Sequence, residues 1–297
     1  MGFLKSYAHY LQAKNFKRNV ILGFLSASLL FWCGLWVYGK FYVSTDDAYV
    51  NANIVQIAPR VTGQVSQLLV NNNQAIVAGQ PLFEIDPQPF EVALEKAQAQ
   101  LTINQAQFIN AKATADRKNT LVTRKFISAQ ESDNANTALQ TAVAGFQLAN
   151  ATLKQAKLDL SWTKVIAPAS GWVTNLSLRA GDNVAANQPL FALISNDEFW
   201  LDANFKETEV ANIKPGQLAT IHLDSYPDHT FQGVVQSISG GTGSAFSLLP
   251  PQNATGNWVK ITQRIPVRIK IINPDLTHPL RIGSSASVTV HLHQFQK

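Results

Sequence analysis

The chain has 297 residues, 46% of them hydrophobic and 14% charged, with a formal net charge of +5. That apolar share over that length supports folded domains with real cores and excludes a disordered chain. The basic excess is local: Lys5, Lys14, Lys17 and Arg18 precede the first hydrophobic run, and no acidic residue occurs before Asp46. No basic stripe is left for a folded face, so nucleic acid is not an expected partner. The one cysteine, Cys33, excludes an intramolecular disulfide.

Residues 20–38 read VILGFLSASLLFWCGLWVY and carry no charge. At 1.5 Å rise per residue they span roughly 28 Å, close to the hydrocarbon thickness of a bilayer. A cleaved signal peptide would have a shorter apolar core and a small-residue cleavage site. Here Trp36, Tyr38, Phe41 and Tyr42 follow, an aromatic belt at an interface. The run reads as a single transmembrane helix. Its basic flank keeps residues 1–19 cytoplasmic by the positive-inside rule. A lead-in strand at 39–53 and the bulk of the chain then lie on the far side, which in a Gram-negative bacterium is the periplasm, with the chain anchored in the inner membrane.

The next feature is a repeat. GQVSQLLVNNNQAIVAGQPLFEI, from Gly63 to Ile85, aligns without gaps on GWVTNLSLRAGDNVAANQPLFAL, from Gly171 to Leu193. Gly63 matches Gly171, Val65 matches Val173, Leu68 matches Leu176, and Gln80-Pro81-Leu82-Phe83 recurs as Gln188-Pro189-Leu190-Phe191. Each copy predicts short alternating strands joined by Asn, Gly and Asp turns. One copy has too small an apolar face to be stable alone, so the two halves, 54–86 and 165–195, must pack together as a small β-sandwich. This pattern resembles the biotinyl/lipoyl domain, which is built of two quasi-symmetric halves. A carrier domain of that kind displays a modified lysine in the turn between its halves. Here Asp86-Pro87 and a long insertion stand there instead, so no cofactor is expected.

The insertion, 87–164, is rich in Ala, Gln, Leu and Lys. Leu94, Leu101, Phe108, Ala115 and Val122 recur every seven residues, as do Leu139, Phe146, Leu153 and Leu160 and, between them, Ala135, Ala142, Ala149 and Ala156. Large residues at one seam position and Ala at the other predict a narrow antiparallel coiled-coil hairpin, about 50 Å long. The companion positions of the first helix, Ala97, Asn104, Ala111 and Lys118, are mixed. The break lies near Arg124–Ser128. Ser128 followed by Glu131 predicts a capping box, with the hydroxyl taking a backbone N–H and the carboxylate reaching back. The tip holds Arg117, Lys118, Leu121, Arg124, Lys125 and Phe126. Two readings stand, a structural spacer and a docking arm whose tip carries recognition.

Residues 196–297 contain alternating runs at 200–206, 219–223, 231–238, 259–272 and 286–292, separated by Lys214-Pro215-Gly216, Tyr226-Pro227-Asp228, Asn273-Pro274-Asp275 and Ile282-Gly283. Such spacing predicts a β-barrel. The loop 240–257 is long and apolar for a connector, which suits contact with another subunit or an internal plug. No catalytic set assembles, and nothing resembles a nucleophile elbow or a phosphate loop, so no enzyme is expected. His291 and His293 would share a strand face without a third ligand nearby, so no metal is expected. Asp46 and Asp47 read as solvating the exit from the membrane, with pairing to a partner's cations as the alternative. The fold class is mixed α and β, multidomain.

In this order, a span, a split lipoyl-like domain, a helical hairpin and a β segment resemble the membrane fusion protein family, the periplasmic adaptors of tripartite efflux and secretion systems. The segment Thr45-Asp46-Asp47-Ala48-Tyr49-Val50 and the loop GTGSAFSLLPPQNATGNWVK, from Gly241 to Lys260, are similar to its EmrA-like branch. That resemblance implies a subunit linking an inner-membrane major-facilitator exporter to a TolC-type outer-membrane channel in multidrug or small-molecule efflux; the alternative is an adaptor for an ABC-type exporter of peptide or protein. Arg117, Leu121 and Ser128 match the family's Arg-Leu-Ser tip motif, which implies channel docking. Phe246, Leu248, Leu249, Asn253 and Trp258 fall in the loop that implies contact with the transporter or a neighbouring subunit. Self-association as a trimer or hexamer is implied as well.

Overall fold

The computed structural model describes residues 41–243, 262–272 and 277–295, together with Ser28 and Trp32. The transmembrane helix expected at 20–38 lies outside the described residues except for those two positions, and so do Phe246, Leu248, Leu249, Asn253 and Trp258. In chain order the strands and helices are β1 (Tyr42–Ile57), β2 (Gly63–Leu68), β3 (Ala75–Ile76), β4 (Pro81–Ile85), α1 (Gln88–Thr123), α2 (Ala129–Ser161), β5 (Lys164–Ile166), β6 (Gly171–Thr174), β7 (Asn183–Val184), β8 (Phe191–Lys206), α3 (Glu207–Val210), β9 (Gln217–Leu223), β10 (Thr230–Ile238), β11 (Arg264–Ile272) and β12 (Ser285–Phe295). They form two compact units, Asn53–Asp197 and the remainder, and β1 and β8 contribute residues to both.

In the unit Asn53–Asp197 the repeat becomes a quasi-two-fold sandwich. Strands β5-β4-β2-β7 form one sheet, and β3 and β6 follow β8 in the other. The pairings that join the halves are symmetry mates. Gly63 pairs with Val184 and Gln64 with Asn183, while Gly171 pairs with Ile76 and Trp172 with Ala75. Each half thus completes the other's sheet, which is why neither is stable alone. The turns repeat as well. Asn73 and Gly181 occupy equivalent positions with φ of 62° and 96°, and Gly79 and Asn187 do so with 82° and 62°. Asn and Gly are the residues that tolerate this left-handed conformation. Side-chain caps follow suit: the Asn71 N–H donates to Gln74 Oε1, and its mate, the Arg179 N–H, donates to Asp182 Oδ2, both at 2.8 Å. The core takes equivalent residues from both halves, Val65 with Val173, Ile76 with Val184 and Ile85 with Leu193. Phe83 and Phe191 meet edge to face at 6.1 Å between ring centroids.

Between the halves, α1 of 36 residues and α2 of 33 form the hairpin. Its burial follows the heptads. On α1 the positions 94, 97, 101, 104, 108, 111, 115, 118 and 122 turn away from solvent, and most of their neighbours are exposed. Phe108 stacks on Phe146 at 5.7 Å and an interplanar angle of 20°. Asn104, out of place on an apolar seam, faces Gly145: a Cβ there would stand 3.1 Å from Asn104 Oδ1. The glycine makes room for the amide, whose Nδ2 donates to Gln100 O at 2.9 Å.

In the other unit the order β1-β12-β9-β10-β11-β8, with β8 also paired to β1, closes a barrel. Alternate residues of its strands fill the interior, among them Leu201, Ala203, Phe205, Ile221, Val267, Ile269, Val288 and Val290. Gly233 supplies the space for this packing, since a Cβ there would lie 2.7 Å from Ile269 Cγ2 and 2.8 Å from Ile221 Cδ1. The buried Gln217 is satisfied: its Nε2 donates to Leu292 O at 2.6 Å and its Oε1 accepts from the Lys214 N–H at 2.8 Å. Of the run expected at 259–272, residues 259–261 lie outside the described residues; among the described ones the ladder of β11 begins with Arg264, opposite Lys206. Its partner β8 ends there and turns into α3, and the Glu207 N–H caps the ladder on Gln263 O at 2.9 Å.

Asp47 was expected to solvate the membrane exit or to meet a partner's cation. Instead it is paired within the barrel, with Arg264 Nη1 at 3.1 Å from Oδ2 and Asn204 Nδ2 donating to Oδ1 at 3.1 Å. Asp202 is the centre of a second group: it accepts from Asn51 Nδ2 at 2.7 Å and pairs with Arg268, whose guanidinium lies 4.6 Å over the Trp200 ring.

Candidate functional site: the hairpin tip

The tip is made by five residues between the helices. After Thr123, Arg124 leaves the helical conformation, and Lys125 takes a φ of 60°. The Lys125 N–H donates to Val122 O at 2.9 Å and the Phe126 N–H to Leu121 O at 3.0 Å, so the last carbonyls of α1 are satisfied by the turn itself. The left-handed residue reverses the chain without glycine. It also leaves the Phe126 ring 72% exposed.

Ser128 starts α2 in an extended conformation as its N-cap, and its hydroxyl accepts from the Glu131 N–H at 3.3 Å. The reciprocal half of the expected capping box is not formed: the Ser128 N–H does not donate to the Glu131 carboxylate among the described residues. That carboxylate instead stays in the first turn of α2, where the helix dipole favours a negative charge.

Arg117 and Leu121 are one helical turn apart on α1 and share a face, which Thr114 and Arg124 extend. Arg117 is exposed, its Nη2 donating to Thr114 Oγ1 at 3.3 Å, and it makes no ion pair among the described residues. Leu121 is 39% exposed. The structure therefore brings a cation and an apolar side chain together on one stripe, and sets Ser128 across the turn as the cap of the second helix. On the opposite flank of α1, sequence reasoning missed a polar cluster. Asn119 and Asn136 exchange amide bonds, 3.1 Å from Asn119 Nδ2 to Asn136 Oδ1 and 3.2 Å in return. Ser132, 6% exposed, donates to Asn119 Oδ1 at 2.6 Å. One signal was available, because Ser132 stands one heptad before Leu139, at a position where the seam otherwise holds large apolar residues.

His291 and His293 do not converge on a common point. His291 Nε2 is bonded to Thr220 Oγ1 at 2.9 Å and its Nδ1 to Gln294 Oε1 at 3.1 Å, while the His293 ring rests 5.0 Å from that of Phe41. Among the described residues, no three His, Cys, Asp or Glu side chains gather into a metal-holding group.

A two-half sandwich split by a helical hairpin, in one chain with a barrel of six strands among the described residues, is the architecture of membrane fusion proteins. Residues 53–196 match the family model described as the RND MFP barrel-sandwich hybrid domain, and residues 198–291 match that of the AAEA-like beta-barrel domain. The multidrug export protein EmrA of Haemophilus influenzae is 34% identical over 90% of this chain and 80% of its own length. YdhJ of Escherichia coli K12 is 38% identical over 86% of this chain and 92% of its own. The structure of the membrane fusion protein Spr0693 from Streptococcus pneumoniae R6 shares the fold, with a TM-score of 0.62 at 17% identity, over 84% of this chain and 97% of that one. The chain belongs to the membrane fusion protein family, on its EmrA-like branch.

Proposed function

We propose that this chain is the periplasmic adaptor of a tripartite efflux system, joining an inner-membrane exporter of the major-facilitator type to a TolC-type outer-membrane channel. In this reading residues 20–38 anchor it in the inner membrane with the N-terminus in the cytoplasm. Residues 54–86 and 165–195 form the lipoyl-like base, 87–164 the arm and 196–297 the barrel. The arm's tip docks on the channel through Arg117, Leu121 and Ser128. The segment that holds Phe246, Leu248, Leu249, Asn253 and Trp258 contacts the exporter or a neighbouring copy. Several copies, a trimer or hexamer, surround the conduit.

The observation that carries the reading is the tip. A solvated spacer has no use for a 72% exposed Phe126 beside a cation without an acidic partner among the described residues. Both suit contact with another protein, where aromatic and Arg side chains supply most of the binding energy. The relatives' names support efflux as the process. Pull-down of the full chain from solubilised membranes tests the assignment: an exporter and an outer-membrane channel should co-purify, and Arg117→Asp should release the channel while leaving the exporter bound. Retention of the channel by Arg117→Asp and by Leu121→Asp would show that docking is not at the tip.

A further inference from the structure

Near the tip a serine, Ser132, sits where the apolar seam should continue, and Asn119 and Asn136 flank that seam. The large-residue positions of α2 run Leu160, Leu153, Phe146 and Leu139 toward the tip, and the next is Ser132. On α1 the last seam residues are Ala115, Lys118 and Val122. Ala115 and Lys118 pack with little interlocking and Val122 stands alone beyond them, so over this stretch the hydrophobic contact by itself sets neither the axial rotation of α1 nor its register against α2. The cluster of Asn119, Ser132 and Asn136 does both. An amide pair closed by two hydrogen bonds has one geometry, and the Ser132 hydroxyl adds a third bond to the same Asn119 oxygen. A shift of one residue would leave the buried Ser132 hydroxyl without its acceptor, a cost that falls on every alternative register. A single polar residue at a coiled-coil seam is known to fix register in this manner.

What the cluster orients is the proposed docking stripe. Successive helical residues are 100° apart, so Asn119 points nearly opposite to both Arg117 and Leu121, two positions before and after it. With Asn119 held against α2, the Arg117–Leu121 face is turned outward. We propose that Asn119, Ser132 and Asn136 are positioning residues that lock the rotation and register of the hairpin tip, so that Arg117 and Leu121 are presented to the channel. This rests on the docking reading above for its consequence, but not for the lock itself.

The test separates the lock from mere stability. In full-length protein carrying Cys33→Ser, the leucine pair Asn119→Leu and Asn136→Leu is combined with Ser132→Ala, which replaces the whole polar cluster by apolar groups and leaves no buried hydroxyl unpaired. This variant should melt near the parent's temperature, because no buried hydroxyl is left without an acceptor and the leucines add apolar contact. Spin labels on cysteines at Thr120 and Asp133 should nevertheless report a broader interhelical distance distribution. Capture of the outer-membrane channel should fall about tenfold, the loss expected when a contact stripe is held loosely. Asn119→Gln with Asn136→Ser, which keeps an amide donor and acceptor, should recover part of the capture. A distance distribution as narrow as the parent's in the leucine pair would overturn the proposal. So would a broad distribution with undiminished capture. If the parent itself captures no channel, the docking reading fails, and the spin-label result still decides the lock.

Discussion

The sandwich and the hairpin are parts of one compact unit, yet they are stabilised differently. In the sandwich, each half lends strands to the other, and Phe83, Leu82, Ile85, Val65 and Leu193 are all but fully enclosed. In the hairpin, only Ala97, Ala115, Ser132, Ala135, Ala149 and Leu153 are buried, and Val92, Ile103, Ile109 and Leu148 face solvent. The sandwich concentrates nonlocal packing; the hairpin relies on its own backbone hydrogen bonds and a narrow heptad seam. Outer faces of the hairpin can change without cost to the fold, whereas the base that fixes its root cannot. That is the distribution of constraint a docking arm needs.

Removing a ring should cost far more in the sandwich than in the hairpin. Phe83→Ala or Phe191→Ala removes a ring from an enclosed core, and each should cost about 3–5 kcal/mol by chemical denaturation. The double substitution should show coupling of about 0.5–1.5 kcal/mol, because the two rings touch. Phe108→Ala removes a ring from a half-exposed stack and should cost only about 1–2 kcal/mol. Equal losses at Phe83 and Phe108 would mean that the hairpin seam is as much a core as the sandwich.

The quasi-symmetry itself can be probed next. Gly63 and Gly171 are mates, but their surroundings differ. A Cβ at Gly63 would lie 2.6 Å from Ile85 Cγ2, a side-chain atom, whereas at Gly171 it would collide with the backbone carbonyl of Ile194, where φ is 158°. Side chains repack more cheaply than a paired strand moves. Gly171→Ala should therefore lose about 2–3 kcal/mol, and Gly63→Ala about 1 kcal/mol less than that, in thermal melts of the purified chain. Equal losses would show that the β8 backbone yields as readily as a methyl group.

These regions also differed in what could be read from the sequence. The repeat was legible because its apolar positions, turns and Gln-Pro-Leu-Phe tetrapeptide recur at a fixed offset, and the hairpin because burial follows Leu94, Leu101 and Phe108 at heptad spacing. That the halves pack together followed from their size; that Gly63 pairs with Val184 and Gly171 with Ile76 did not, since period-two alternation names a face and not a partner. Heptads and the capping box located Arg117, Leu121 and Ser128 at the tip, but only the family resemblance singled them out as a docking set. Asn119 and Asn136 were invisible, because an asparagine on a helix reads as solvated surface until the opposite helix is in place. Asp47 was misread for the same reason: its partner Arg264 lies 217 residues away, joined to it only by barrel closure.

The smallest expected effect is the one that separates two roles of a single residue. Ser128 caps α2 through its hydroxyl, which accepts from the Glu131 N–H. Ser128→Ala should cost about 1 kcal/mol, read as faster hydrogen exchange of the Glu131 and Ser132 amides. Exchange in the sandwich should not change, because the first turn of α2 is remote from that core in its packing. Ser128→Asp distinguishes the cap from the docking contact. Aspartate caps as well as serine and its charge suits a helix N-terminus, so exchange at Glu131 should stay as slow as in the parent. If the hydroxyl also meets the channel, a carboxylate beside the Arg117 stripe should weaken channel capture although the helix is intact. If Ser128→Asp captures the channel as the parent does, Ser128 serves the tip as a cap alone, and recognition rests with Arg117, Leu121 and Phe126.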